Sequence, residues 1–254
     1  MLDIKDVFFM NNLLNCQIHI RFKCTKWMTF FYCIHSANIP HTGTPACTSL
    51  DLVFVIDASG SLEEINHYWP IILNYLRTIT ERFPVSPGNV NIGAICYSND
   101  AVIVWNLNEG VRKADVLSLI DTIDYKGGRT NIAAGLELAH TTMFSRELGD
   151  RDYAPNMILL VSDGVANERE RDTQTQAAAA RAKGIEIVTV GVGDNIDHVE
   201  LIGIASRDEY FLTISNVDRL EEIVVDRAGS DPNCYEETPR GISISPPKPL
   251  IKMK

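Results

Sequence analysis

Two apolar stretches of the sequence end in polar residues that carry oxygen. In "LDLVFVIDASGSLEE", Asp57 ends the first stretch and is followed by Ser59 and Ser61. In "PNMILLVSDG", Asp163 stands in the corresponding place. Carboxylate and hydroxyl oxygens are the hard ligands that Mg²⁺ prefers, and two neighbouring carboxylates repel each other unless a cation lies between them. The residue types therefore predict a divalent-cation site, provided that the fold brings the two segments together.

A third segment offers another hydroxyl. "GGRTN" places Thr130 directly before a predicted helix that begins near Asn131. The Thr130 hydroxyl either supplies a further oxygen ligand or caps that helix, and the sequence leaves both roles open. The glycine pair before it allows two stretches of backbone to approach closely.

The elements around these segments alternate between strand and helix. Apolar strands are predicted over 50–57, 90–97, 101–105, 155–163 and 185–194, with a short strand over 209–214. Helical patterns are predicted over 70–83, 111–123, 131–143, 172–184, 197–205 and 217–228. This alternation predicts an α/β fold with a doubly wound, mostly parallel sheet, one antiparallel edge strand and helices on both faces. Ligands of such sheets bind beyond the carboxyl ends of the strands, where Asp57 and Asp163 stand.

Charge and composition exclude several classes of function. The chain has 254 residues, 45% of them hydrophobic, and a formal net charge of −10, which disfavours nucleic acid and anionic membranes as general partners. Membrane insertion is not expected, because no apolar run reaches the roughly 20 residues of a membrane-spanning helix. No catalytic triad or phosphate-gripping lysine is evident. The chain is therefore predicted not to be an enzyme, with a metal-dependent phosphohydrolase as the less favoured alternative.

The chain divides into three predicted regions. Residues 1–46 form an N-terminal segment without an assigned fold, either a weak secretory signal region or a mispredicted start. Residues 47–234 form the domain, and 235–254 form a flexible tail rich in proline and basic residues. Cys47 and Cys234 flank the domain. In an oxidising compartment they are candidates for a disulfide, whereas in a reducing cytosol they would remain two unrelated thiols.

"DASGS" (57–61), the threonine of "GGRTN" and the aspartate of "VSDG" resemble the three parts of the metal-ion-dependent adhesion site (MIDAS) of von Willebrand factor type A (VWA) domains. They occur in the family's order and at the family's strand ends, and the resemblance covers about residues 48–230. The sequence "SLDLVFVIDASGS" and the flanking cysteines look most like the extracellular-matrix branch, as in matrilins and collagen VI-like proteins. The resemblance implies the Rossmann-like VWA fold.

The resemblance also implies ligand roles. Ser59, Ser61 and Thr130 would bind Mg²⁺ (or Mn²⁺ or Ca²⁺) directly, while Asp57 and Asp163 would bind it largely through water. A carboxylate of a protein partner would complete the coordination shell. The predicted function is a non-enzymatic, secreted, extracellular adhesion module that binds a matrix protein such as a collagen through an acidic side chain. The alternatives are a structural matrix domain with metal-independent binding and an intracellular scaffold of the same family.

Overall fold

A computed structural model describes residues 48–63, 68–164, 166–167 and 170–230 of the chain. The N-terminal segment, Cys47, Cys234 and the tail lie outside these residues, so the three predicted regions and the disulfide stay predictions. Among the described residues, no helix combines the length and the apolar composition that crossing a bilayer requires.

The strands of the described chain form one mixed sheet. They are β1 (Thr48–Asp57), β2 (Val90–Tyr97), β3 (Ala101–Trp105), β4 (Asn156–Ser162), β5 (Glu186–Gly191), β6 (Phe211–Thr213) and the two-residue β7 (Gly229–Ser230). The order is β3-β2-β1-β4-β5-β6, and β7 pairs with the start of β1. β1, β2, β4, β5 and β6 run parallel, whereas the edge strand β3 runs antiparallel to β2. The predicted fold class is confirmed.

The helices lie in the connections between the strands. They are α1 (Gly60–Glu63), α2 (Trp69–Arg82), α3 (Lys113–Ile120), α4 (Ile132–Leu138), α5 (Glu170–Ala182), α6 (His198–Ile204) and α7 (Val217–Arg227), with a π-helical turn over Ala139–Met143 and 3₁₀ turns over Arg146–Leu148 and Asp208–Tyr210. The helix predicted over 111–123 is shorter than its pattern. Its last residues form a tighter turn, because the N–H groups of Thr122 and Ile123 donate three residues back, to Leu119 and Ile120.

β1 is buried on both faces, which explains its nearly continuous apolar sequence. Leu52, Phe54 and Ile56 pack in a core that includes residues of α2, α3 and α7. The residues between them, Val53 and Val55, pack in a second core with residues of α4, α5 and α6. Each such fully buried side chain contributes roughly 1.5–3 kcal/mol to burial energy, so the sheet is a rigid base for the loops at its ends.

The strand order reverses beside β1. β2 and β3 lie on one side of β1, and β4, β5 and β6 lie on the other. Ile56 pairs with Val161 in the parallel register of β1 and β4, so the two strands end side by side. Asp57 and Asp163 therefore lie at the crevice where a doubly wound sheet binds its ligands.

Candidate metal centre

Asp57, the last residue of β1, is fully buried, and both of its carboxylate oxygens accept hydrogen bonds from neutral donors. Oδ1 accepts from the N–H of Ser59 at 2.9 Å, and Oδ2 accepts from the hydroxyl of Ser162 at 2.7 Å. Ser162 was not identified from the sequence. Its role depends on the register that places the end of β4 beside Asp57, and its position directly before Asp163 was the available signal.

The two serines of the first loop stay together after the strand ends. Their hydroxyl oxygens lie 3.1 Å apart, although Ser59 is buried and Ser61 is exposed. The hydroxyl of Tyr125 donates to the backbone oxygen of Ser59 at 3.2 Å, which fixes the start of α1. Two hydroxyl oxygens thus face the same region beside Asp57.

The glycine pair joins the second loop to the first. The N–H of Gly127 donates to the oxygen of Ala58 at 2.9 Å, and the N–H of Gly60 donates to the oxygen of Gly128 at 3.0 Å. Both Gly127 and Gly128 have positive φ, and a Cβ on Gly128 would lie only 2.9 Å from Oδ1 of Asn99. The backbone therefore favours glycine at both positions, and at Gly128 a larger residue would also have to displace the Asn99 side chain.

Thr130 is buried, and it does not cap the helix that follows it. The N-cap of α4 is Asn131, whose Oδ1 accepts from the N–H of Ala134 at 3.0 Å. The structure thus removes the helix-capping alternative that the sequence left open for Thr130. The residues are neighbours and both types favour N-cap positions, so sequence alone did not separate them.

The third loop reaches Thr130 through Asn167. The Oδ1 of Asn167 accepts from the N–H of Thr130 at 2.9 Å, and the N–H of Asn167 donates to the oxygen of Thr130 at 3.2 Å. Asn167 was also missed from the sequence, since it lies in a loop without periodicity. Its contacts tie the loop that follows Asp163 to the loop that carries Thr130.

The electrostatics of the site couple its two carboxylates. Burial, and after it the nearby charge of Asp163, raise the pKa of Asp57 to about 6, against the lowering effect of the serine donors. Asp163 is itself mostly buried, and its backbone oxygen accepts from the N–H of Asp197 at 2.8 Å. Asp57 and Asp163 thus lie close enough to repel each other.

The donor set fits a hard divalent cation. Hydrogen bonds connect the first loop to the second, the second to the third, and Asp57 to the end of β4. Among the described residues no group of three His, Cys, Asp or Glu residues could hold a metal, so a cation here would need the hydroxyls as well as the two carboxylates. Oxygen-only ligands suit magnesium, and a cation would relieve the repulsion by Asp163 that adds to burial in raising the pKa of Asp57.

Known proteins with similar sequences are matrix and adhesion proteins. The chain is 28% identical to the collagen alpha-1(XII) chain of Notophthalmus viridescens over 84% of its own length and 22% of that protein. It is 32% identical to von Willebrand factor of Rattus norvegicus over 60% of its length and 33% of that protein. The chain therefore spans a third or less of the length of these two curated relatives.

Solved structures show the same fold. The chain matches proximal thread matrix protein 1 of the mussel byssus, in a structure described as having a zinc-occupied MIDAS motif, with 30% identity and a TM-score of 0.60 over 71% of this chain and 45% of that one. It also matches manganese-loaded TRAP protein of Plasmodium vivax with 17% identity and a TM-score of 0.62, over 71% and 75% of the two chains, which shows the fold alone. Residues 51–226 match the von Willebrand factor type A domain family, and the chain therefore belongs to that family.

Proposed function

We propose that this VWA domain is a non-enzymatic adhesion or matrix-binding module that holds a divalent cation, magnesium, at the crevice between β1 and β4. The main support is the arrangement of three loops around a buried carboxylate. Asp57 is fully buried with neutral donors, and its burial, together with the charge of the neighbouring Asp163, raises its pKa. Such a carboxylate is stabilised by an added cation.

Ligand roles follow from the chemistry of each residue. The Ser59, Ser61 and Thr130 hydroxyls would bind the cation directly, and the carboxylates of Asp57 and Asp163 would hold it largely through water. When bound, the cation supplies a position for one carboxylate oxygen of a partner. The zinc-occupied MIDAS motif of the 30%-identical mussel protein supports a divalent cation at this site.

The proposed partner is an extracellular-matrix protein, such as a collagen, that presents an acidic side chain. Similarity to collagen chains, von Willebrand factor and integrin alpha-11 supports this class of partner and an extracellular, secreted location. A hydrolytic role is less well supported. Among the described residues, the Ser59 hydroxyl is close to Ser61, and no histidine base is hydrogen bonded to it.

Calorimetric titration with MgCl₂ tests the site. We expect the unaltered protein to bind, and Ser59→Ala to weaken binding by at least about tenfold because a direct ligand is lost. Ser118→Ala is a matched control, since the Ser118 hydroxyl bonds only within α3, to Ala114. Undiminished binding by Ser59→Ala, with Ser118→Ala also unchanged, would contradict the proposed site.

A pull-down from extracellular matrix, with and without EDTA, tests the partner. We expect retained matrix protein to be released by EDTA and to be absent with Ser59→Ala. Retention that resists EDTA would instead support a structural matrix domain with metal-independent binding. Magnesium-dependent release of phosphate from a model phosphomonoester would support the phosphohydrolase alternative.

A further inference from the structure

We infer that Asn99 and Asn167 are positioning residues that hold Thr130 against the cation site from two sides. This inference rests on the proposed function, because it concerns how one of the proposed ligands is fixed. The two residues come from different loops, Asn99 from the turn between β2 and β3 and Asn167 from the loop after β4. We call this pair the asparagine clamp.

Asn167 occupies both backbone polar groups of Thr130. Its Oδ1 accepts from the Thr130 N–H at 2.9 Å, and its own N–H donates to the Thr130 oxygen at 3.2 Å. Two bonds between one pair of residues fix orientation as well as distance, because rotation about either bond breaks the other. Asn167 lies in the loop that begins at Asp163, so the contact also links two of the proposed ligands.

Asn99 holds the residues on either side of Thr130. Its Oδ1 accepts from the N–H of Arg129 at 2.8 Å, and its backbone oxygen accepts from Nδ2 of Asn131 at 2.8 Å. The neighbouring Ser98 oxygen accepts from the N–H of Asn131 at 2.9 Å. The backbone N–H groups of 129, 130 and 131 thus all donate to residues of other loops, and this accounts for the irregular path of the segment before α4.

A fixed backbone restricts the Thr130 hydroxyl to few positions. Threonine is branched at Cβ, so its χ1 angle has few accessible values once the backbone is set. Thr130 is also 1% exposed, which leaves its side chain little room to move. Partners that orient a metal ligand without touching the metal commonly change affinity by about 10- to 100-fold. The clamp should therefore affect cation affinity as well as loop stability.

The first test compares Asn167→Ala with Asn167→Asp in titrations with MnCl₂, following the free ion by electron paramagnetic resonance. We expect Asn167→Ala to bind about tenfold more weakly, and Asn167→Asp to bind at least as well as the unaltered protein, because it keeps the accepting oxygen. Asn108→Ala serves as a control, since its Nδ2 bridges to the Glu147 oxygen in loops away from the site. Equal binding by Asn167→Ala and the unaltered protein would overturn the inference.

The second test asks whether Asn167 acts through Thr130. In a double-mutant cycle, we expect Asn167→Ala to change Mn²⁺ affinity less than about twofold once Thr130→Ala has removed the hydroxyl. Independent, multiplicative effects would show that Asn167 only stabilises the loop. If Thr130→Ala binds no Mn²⁺, rescue by Asn167→Asp decides the question.

Two further comparisons keep the test decisive. Should Asn167→Ala fail to fold, Asn99→Ala takes its place. It removes the oxygen that accepts from the Arg129 N–H and keeps the backbone oxygen that accepts from Asn131, so a smaller loss of affinity in the same direction is expected, with Asn99→Asp as the rescue variant. Metal binding by the unaltered protein distinguishes a failure of the proposed function from a failure of the asparagine clamp. Absence of Mn²⁺ and Mg²⁺ binding there would overturn the proposed function and the clamp together, whereas normal binding there and in Asn167→Ala, or in the Asn99→Ala that replaces it, would overturn the clamp alone.

Discussion

The two ends of β1 each carry a buried aspartate on the same face of the sheet, but the two carboxylates have opposite kinds of partner. Asp51, near the amino end of β1 (the lower end), accepts from Nε of Arg151 at 2.8 Å and from the backbone N–H of Arg151 at 2.7 Å. Asp57, at the carboxyl end of β1 (the upper end), accepts from the neutral groups of Ser59 and Ser162. Burial is the largest cause that raises the pKa of each aspartate, in both cases to about 6.

The difference distinguishes Asp51, a carboxylate that stabilises the fold, from Asp57, a carboxylate that belongs to the proposed cation site. Arg151 also donates to the backbone oxygens of Leu50 and Asn89. The positive charge at the lower end is therefore the guanidinium of the chain's own Arg151, which joins three segments. At the upper end the charge that acts on Asp57 is that of another carboxylate, Asp163, which adds to the effect of burial in raising the pKa of Asp57. A site of that kind becomes favourable when a cation comes from outside the chain.

Arg151→Met should give the largest effect, because it leaves Asp51 buried without its charged partner. Breaking a buried pair from one side costs about 3–5 kcal/mol of unfolding free energy, which urea denaturation measures. Arg146→Met is the matched control, since Arg146 pairs with Asp152 at the surface and such pairs contribute about 0–1 kcal/mol. A loss of less than about 1 kcal/mol for Arg151→Met would mean that the guanidinium of Arg151 does not stabilise the buried carboxylate of Asp51.

Asp57→Asn should separate stability from cation binding at the upper end. It removes a buried charge that Asp163 repels, so we expect the metal-free protein to gain about 1–2 kcal/mol of unfolding free energy at pH 7. The unaltered protein should gain about 2.7 kcal/mol when MgCl₂ is at 100 times its dissociation constant, and Asp57→Asn should gain nothing. Asp51→Asn should keep the full gain from MgCl₂, because it leaves the site intact. An equal gain for Asp57→Asn and the unaltered protein would contradict the comparison.

The upper end was largely predictable from sequence, because its signals are local. An apolar run that ends in aspartate marks the carboxyl end of a buried strand, and "DASGS" follows at once. Alternation of strands and helices then placed Asp57 and Asp163 at the same edge of the sheet. The contacts that organise the site were not predictable, since Ser162 and Asn167 act through register and loop paths that no periodicity encodes.

The lower end shows the limit more sharply. Asp51 interrupts the apolar run "LDLVFVID", and a charge within a buried strand must find a partner. Its partner, Arg151, is 100 residues away in the chain. The sequence contains many arginines, and only the fold selects this one, by bringing the segment before β4 beside the start of β1. Sequence thus indicates that a partner exists, whereas the topology determines which residue it is.

The pH dependence of stability provides the smallest and most specific test of the comparison. The pKa of Asp51 in the folded chain, about 6, lies above its ordinary value of 3.8, so the folded state takes up a proton first as the pH falls. The unfolding free energy of the unaltered protein, relative to that of Asp51→Asn, should therefore increase by about 1 kcal/mol as the pH falls from 7 to 5. Urea denaturation of both proteins at several pH values, in the absence of metal, measures this difference. A decrease in stability over the same range would show that pairing with Arg151 affects the pKa of Asp51 more than burial does. Asp51, which is paired within its own chain, would then differ from Asp57 in its proton affinity as well as in its partners.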